Sequence, residues 1–496
     1  MVKKGSITVF LALILSLLLS LVGTSIQSVQ AAAARTQILS SLDIGLYSLF
    51  GQYDPILLKE YDLLFLDGSN GKGELDLGAV YNNMESYMKP ALRQNSQKLK
   101  LKQGGFSGYR LATDQNGEVF YHQVITMMKQ TLGSQGVSKV LEHLQNREEK
   151  VKQAENSGKQ AEESKTLENY DSEMDSAARN SEAAKAEQEN QKEENPGDFS
   201  AGGDGFSDGE AKTDVVNPIP ILKRIRQMSL LNLVVPREKG ISDSEISSGE
   251  LLSGRKIQEG MSMPGNPKND NSATSRMLFQ QYLTDRMGNY RSPGKDGLQY
   301  QMEYILAGKN SDKKNLEAVA GRLLLIREGV NSACLMGDSV KRGQVQALAL
   351  AIASGFLIPP ASALIEAAIL LCWSFAESIL DLRELFHGGK VPLVKNSSQW
   401  QLSLENLPDL LEGLDSERRT CEKGMSYEDY LQVLLLSQSK DQTLQRGMDM
   451  TEDKIRHISG KENFRLDCCL EAVEASVDVK ANRLRIYTVT KQYSYT

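Results

Sequence analysis

Thirty residues, Gly5 to Ala34, run without one charged side chain directly behind Lys3 and Lys4. Ile7 to Val22 is almost wholly aliphatic. As a helix, Ile7 to Ala34 extends about 42 Å and its most apolar part about 24 Å, against a hydrocarbon core of roughly 30 Å. The segment is therefore predicted to be a membrane anchor, with Ile7, Phe10, Leu11, Leu15, Leu18 and Val22 as its anchoring residues. Lysines ahead of an apolar run keep the N-terminus in the cytoplasm. Everything after Arg35 is expected on the outer side.

Two other readings of the same stretch compete. Ala31 to Ala34 supply the small residues of a signal-peptide cleavage site. The short basic head before a long apolar helix also has the form of a prepilin leader, processed at Gly5 and Ser6. Retention is favoured by the pattern downstream of the aliphatic run. Ile26, Val29 and Ala33 share a helical face that Leu39, Leu42, Leu46 and Leu49 continue at spacings of three and four. Arg35, Gln37, Ser40 and Asp43 fall mostly opposite. A cleaved leader has no physical need of an amphipathic extension in phase with it.

At 496 residues the chain exceeds one compact domain, and two or three are expected. A net charge of −7 without a balancing basic patch argues against a nucleic-acid partner. The five cysteines form no CxxC pair. Cys468 and Cys469 are adjacent, which rarely meets disulfide geometry, and Cys334 and Cys372, set among apolar residues, are expected to be buried. Export without bridges is compatible with a bacterial envelope.

The fold class read from the chain is α+β and predominantly helical. An N-terminal transmembrane helix with an amphipathic extension precedes a helical extracytoplasmic part that ends in an antiparallel β-hairpin. Four segments are expected: the anchor (1–34), a stalk helix with a membrane-proximal α+β region (35–146), an acidic flexible linker (147–214), and a mostly helical domain (215–496). In the second, Asp54-Pro55 forces a turn, and Leu57 to Asp67 reads as a helical turn passing into a short strand closed by Gly68. Leu77 to Tyr87 and Glu118 to Leu132 read as helices, the latter behind an Asn116-Gly117 turn. Another helix begins with Val137, Val140, Leu141 and Leu144. Acids outnumber bases from Arg147 to Glu194, with too few apolar residues for a core or a coiled-coil seam. Gly202 to Asp208 faintly resembles a calcium-binding nonapeptide, but such repeats work only when stacked.

Beyond the linker, Ile219 to Val235 is a short helix and an apolar run, Gly240 to Asn271 a polar loop, and Met277 to Met287 a helix. Leu316, Val319, Leu323, Ile326, Val330 and Cys334 make the clearest amphipathic stripe, capped by Ser311 or Asp312. Val345 to Ala376 is apolar but broken at Pro359-Pro360 into halves shorter than a spanning helix needs, so a buried helical hairpin is favoured over membrane re-entry. Ser426 to Asp429 reads as a capping box opening a helix that reaches roughly to His457. In the closing hairpin Val473, Ala475, Val477 and Val479 face one way and Glu474, Ser476, Asp478 and Lys480 the other, with an Ala481-Asn482 turn before Arg483 to Tyr493.

No constellation of catalytic, cofactor-binding or metal-ligating residues emerges. The four histidines, His122, His143, His387 and His457, are scattered and none forms an HExxH pair. There is neither a GxSxG elbow nor a GxxxxGK[ST] loop. Gly388-Gly389-Lys390 precedes Val391-Pro392 rather than a helix, and reads as a turn. Glu303 and Asp312 read as capping and ion-pairing groups, and Tyr487, Tyr493 and Tyr495 as cross-strand packing. An enzyme is not expected, nor a cofactor, nor a small-molecule substrate.

Several stretches nonetheless resemble a known group. Gly5 to Val22, Leu57 to Asp67, Asn217 to Pro236, Glu303 to Gly308, Asn315 to Asn331, Gly389 to Leu393, Ser426 to Leu431 and Asn463 to Asp467 resemble a clostridial (Firmicutes) family without assigned function, a companion of tight-adherence (Tad, Flp-type) pilus loci. The N-terminus is similar to the TadE/TadG pseudopilins. The resemblance implies a membrane-bound, single-pass protein whose partners are proteins of a Tad-like pilus assembly. One departure bears on its role. Prepilins usually carry glutamate five residues after the cleaved glycine; that position here is Phe10, and Gly5 to Ala34 holds no carboxylate. This argues against a major pilin. The alternatives are a surface interaction protein unrelated to pili, and an envelope enzyme with carboxylates between Glu303 and Asp381.

Overall fold

The uncharged run is helical, and the helix continues past the end of the run. In a computed structural model α1 spans Lys4–Phe50, followed by α2 (Pro55–Tyr61), β1 (Leu66–Asp67), α3 (Leu77–Arg93), β2 (Lys100–Leu111) and α4 (Asp114–Gly158). Next come α5 (Ile219–Arg226), α6 (Leu230–Val234), α7 (Ala273–Arg286), α8 (Gln301–Ala307), α9 (Asp312–Gly337) and α10 (Ser339–Gly355). The last are α11 (Ser362–His387), α12 (Leu410–Gly413), α13 (Tyr427–Leu436), α14 (Lys440–Arg456), β3 (Cys469–Ala481) and β4 (Arg485–Ser494). The structure describes residues 4–93, 99–158, 169–170, 172, 176, 216–247, 249, 251–261, 263–265, 267–355, 361–414, 420–481 and 485–495. Most of the expected linker, the Gly202 to Asp208 motif, Pro359-Pro360 and Asn482 lie outside the described residues. The chain is α+β and mostly helical, with an antiparallel sheet near its C-terminus.

It divides into two compact units. The first combines Met1–Ser138, Ile246–Arg286 and Ser439–Thr496; the second combines Lys139–Glu245 and Met287–Gln438. This division differs from the expected 35–146 and 215–496 segments because the sheet joins the two ends of the chain.

In the first unit β3 is the central strand. β2 pairs with it antiparallel from Lys100↔Lys480 to Leu111↔Leu470. On its other edge lie β1, through Leu66↔Leu470, and β4, from Ala472↔Ser494 to Ala481↔Arg485. The alternation predicted for β3 is present, and Val473, Ala475, Val477 and Val479 are buried. They pack on two helices. α1 contributes Ala34, Ile38, Leu42, Leu46 and Leu49, and α3 contributes Val80, Met84, Met88 and Leu92. Spacings of four and three place these residues on one face. That face is turned slightly from the expected one: Leu39 is half-buried, and Ile26 and Val29 are exposed. The C-terminal tyrosines close onto the end of α1. The Phe50 ring lies 4.8 Å from both Tyr493 and Tyr495, and the Tyr495 hydroxyl donates to the Phe50 carbonyl at 2.6 Å.

Local signals account for most other elements of this unit, and for α13 of the second. Asp54 caps α2, accepting from the Ile56 and Leu57 N–H groups. Gln115, Asn116 and Gly117 are left-handed, so the helix expected from Glu118 starts behind that turn, and Gly133 (φ 63°) breaks it where expected. β2 was not anticipated: Lys-Leu-Lys-Gln-Gly-Gly-Phe-Ser-Gly-Tyr-Arg-Leu shows no alternation, and pairing with β3 makes it a strand. The helix expected from Ser426 to His457 is two helices. The capping box of Ser426 and Asp429 forms, but the Ser437 hydroxyl donates to the Leu434 carbonyl at 2.7 Å and Ser439 caps α14. Hydroxyls bonded to backbone compete with helix continuation.

In the second unit α9 packs along α11, with α5, α6, α8 and α10 around the pair and α13 against α8. Ser311 caps α9 through the Lys314 N–H. α10 and α11 pack on each other, the hairpin expected from Val345 to Ala376. Although α11 is apolar enough to cross a membrane, 72% of its most apolar window is buried, as in a core helix. The α9 stripe departs from expectation in two places. Ile326 is half-buried, and the adjacent Arg327 is fully buried. Cys334 is half-buried rather than buried, and all five cysteines are free.

Candidate functional site

Among the described residues, the most apolar accessible surface is the first half of α1. Ile7, Phe10, Leu11, Leu15, Leu18 and Val22 each leave 49–64% of their surface exposed. The most apolar window of this helix has none of its surface buried inside the protein. A soluble protein rarely leaves so large a patch uncovered. Gly5 and Ser6 lie in the first helical turns. The helix is apolar enough to span a membrane, consistent with an anchor.

Elsewhere the structure gathers charges that the sequence reading did not bring together. In the second unit Arg327 and Asn331, one turn apart on α9, face Glu377 and Asp381, one turn apart on α11. Arg327 donates Nε and Nη2 to Asp381 Oδ2 at 3.0 and 2.8 Å and Nη1 to the Leu393 carbonyl at 2.6 Å. Lys395 Nζ donates to Glu377 Oε1 and lies 2.5 Å from Asp381 Oδ1. Glu377 also accepts the Gln401 and Leu402 N–H groups at 3.0 and 2.9 Å. All four charged side chains are at most 1% exposed. Two cations and two carboxylates balance, which makes such burial tolerable. The signal was present in the sequence: acids in the middle of an apolar helix, and a basic residue beside an apolar stripe.

Two further buried acids show what the Glu303 to Asp381 region holds. Asp312 accepts the Gln299 and Tyr300 N–H groups and the Ser242 hydroxyl. Glu303 accepts the Tyr290 N–H at 2.9 Å and the Tyr427 hydroxyl at 2.7 Å. Both are hydrogen-bonded anchors of backbone rather than ion pairs. Burial pushes the Glu303 carboxyl up to about 7, the Tyr427 and Tyr290 bonds opposing it only in part. A raised carboxyl keeps its proton in the folded state while the unfolded chain has lost it, so stability falls as pH rises between about 4.5 and 7. Two to three pH units correspond to about 3 kcal/mol. Glu303→Gln is expected to flatten the pH dependence by about that amount. Urea denaturation at about pH 4.5 and about pH 8 measures it; equal slopes in the two proteins would show that Glu303 titrates normally.

In the first unit Arg255 holds Glu452 through Nη1 and Nη2 at 2.6 and 2.8 Å and Asp467 through Nη2 at 2.8 Å. Both carboxylates are buried and also take backbone donors, Leu466 N–H on Glu452 and Gln258 N–H on Asp467. Arg465 adds two bonds to Asp467. These contacts hold the polar loop before α7 and the turn before β3 against α14.

The remaining candidates stay apart. His122 and His457 are exposed, His387 is half-buried near the Arg383 carbonyl, and the side chain of His143 lies outside the described residues. Among the described residues no group of three or more His, Cys, Asp or Glu is arranged to hold a metal ion. Gly388 (φ 97°) ends α11 in the left-handed region, so Gly388-Gly389-Lys390 closes a helix rather than opening one. No curated protein and no solved structure matches the chain. A family model described as a family of unknown function, DUF5702, matches residues 208–481, more than half of the sequence. That match takes in the Arg327–Asp381 and Arg255–Asp467 clusters, and the chain belongs to the DUF5702 family.

Proposed function

We propose that this protein is a single-pass, membrane-anchored accessory of a Tad-like pilus or secretion apparatus, with its N-terminus in the cytoplasm and its folded units outside. In this reading it acts through contacts with the proteins of that assembly and carries out no catalysis. The observation that carries it is α1: one unbroken helix, bare and apolar in its first half, packed on the β-sheet in its second. A continuous helix fixes the sheet at a set distance from the membrane, about 1.5 Å per residue. The leader similar to that of pseudopilins supplies the pilus context. Phe10, standing where a filament subunit carries glutamate, supports a role beside the fibre more than in it. The charge clusters serve as internal ties between elements of the fold. Deleting the gene should reduce surface pili and adherence, and the protein should co-purify with pseudopilin-like products. Normal piliation in the deletion strain would sink the proposal.

A further inference from the structure

The Lys395 cluster sets one buried amine against two carboxyl groups, Glu377 and Asp381. Asp381 is polarised to one side. Its Oδ2 receives Arg327 Nε and Nη2 at 3.0 and 2.8 Å and Asn331 Nδ2 at 2.9 Å. Its Oδ1 faces Lys395, whose nitrogen lies 2.5 Å away. The amine therefore sits in direct contact with the carboxyl group. Glu377 holds that same amine, and is itself fixed by the Gln401 and Leu402 N–H groups. The Trp400 ring covers the site, its centroid 5.7 Å from Lys395 Nζ.

We propose that Lys395 Nζ and the Asp381 carboxyl condense into an intramolecular amide, with Glu377 carrying the protons and Arg327 and Asn331 holding the developing oxyanion. Glu377 takes a proton from the ammonium, and the freed lone pair attacks Asp381 Cγ. A nitrogen–carbon bond forms, and negative charge collects on Oδ2 beneath three donors, the arrangement that stabilises tetrahedral intermediates. Glu377 delivers its proton to Oδ1, a second proton follows from the same nitrogen, and the carbon–Oδ1 bond breaks. Two of the three ammonium protons thus leave with Oδ1 as water. No oxidant or co-reactant is needed, and Arg327 and Glu377 remain as a balanced pair.

Three features favour the step. Burial raises the Glu377 carboxyl, fitting it to hold and return a proton, with Lys395 acting against that rise. Preorganised proximity replaces the encounter a bimolecular condensation requires. Condensation also removes two charges from a site where charge is costly to bury. The link would tie the segment around Leu393 and Gln401 to α11. A chain whose five cysteines are all free would thereby gain the cross-link that a disulfide supplies elsewhere.

The test is a peptide map of the purified full-length protein, denatured and digested with trypsin, which does not cut after an acylated lysine. The expected result is no cleavage at Lys395 and a branched peptide joining the Asp381 and Lys395 segments, lighter by one water than its parts. Cleavage at Lys395 with both peptides at their sequence masses would overturn the proposal, as would a link to Glu377. Glu377→Gln should keep the wild-type circular dichroism spectrum and give unlinked peptides; a linked variant would remove Glu377 from the reaction. The wild-type digest decides the link whichever way the variant folds.

Discussion

Leu15→Arg combined with Leu18→Arg is expected to move the full-length chain out of the membrane fraction. Both side chains are exposed on the bare half of α1. An arginine near the centre of a spanning helix costs about 3 kcal/mol on insertion scales, and two cost about 6. That lowers the insertion equilibrium about 10⁴-fold. The helix cannot compensate by sliding, because Gly23 to Gln30 brings in Gly, Thr, Ser and Gln where the aliphatic run has ended. Alkaline carbonate extraction of membranes is the measurement. A doubly substituted chain that still pellets with membranes would mean that something other than this helix holds it there. Protease added outside wall-stripped cells should separately release a fragment beginning beyond Ala34; full protection would reverse the topology.

Arg255→Met is expected to destabilise the first unit by about 3 kcal/mol or more at neutral pH. The guanidinium is the shared partner of Glu452 and Asp467, which are 1% and 0% exposed. Methionine fills similar volume but leaves two buried carboxylates facing one another, a worse state than either pair intact or both charges removed. Arg465 on Asp467 limits the damage. Burial works against ionised Asp467, but Arg465, the Gln258 N–H and Arg255 hold its carboxyl below the usual range. A depressed carboxyl stabilises the fold above its unfolded pKa, and that contribution is lost as pH falls through the folded one. The gap between wild type and variant should therefore be widest near neutrality and narrow below about pH 4. Urea unfolding across that range reads it out, and a pH-independent gap would locate the loss in packing rather than charge.

Both substitutions come from the same division of the chain into what is local and what is not. The apolar N-terminal helix was legible because a run of uncharged aliphatic residues carries its own signal, whatever lies downstream. The β3 strand, the Ser426 capping box, the Asn116-Gly117 turn and the α9 cap at Ser311 were legible for a similar reason. Each is decided by side chains within a few residues of the backbone they serve. The exact buried face of α1 was not, because Leu39 and Ile38 are equally apolar and only the sheet beneath selects between them.

What the sequence alone determined is therefore an N-terminal apolar helix, an α+β chain dominated by helix, and a closing hairpin. Tertiary structure decided the rest. β2, with three glycines and no alternation, becomes a strand through pairing with residues some 370 positions away. The two units interleave in sequence because that sheet needs both chain ends. Arg327, Asn331, Glu377, Asp381 and Lys395 lie up to 68 positions apart in the sequence, where nothing marks them as one group. They become one charge-balanced, buried cluster only when α9 packs on α11 and the segment after α11 folds back. Opposite charges far apart in sequence carry no local mark of their pairing; the low dielectric of the packed interior makes the pairing obligatory.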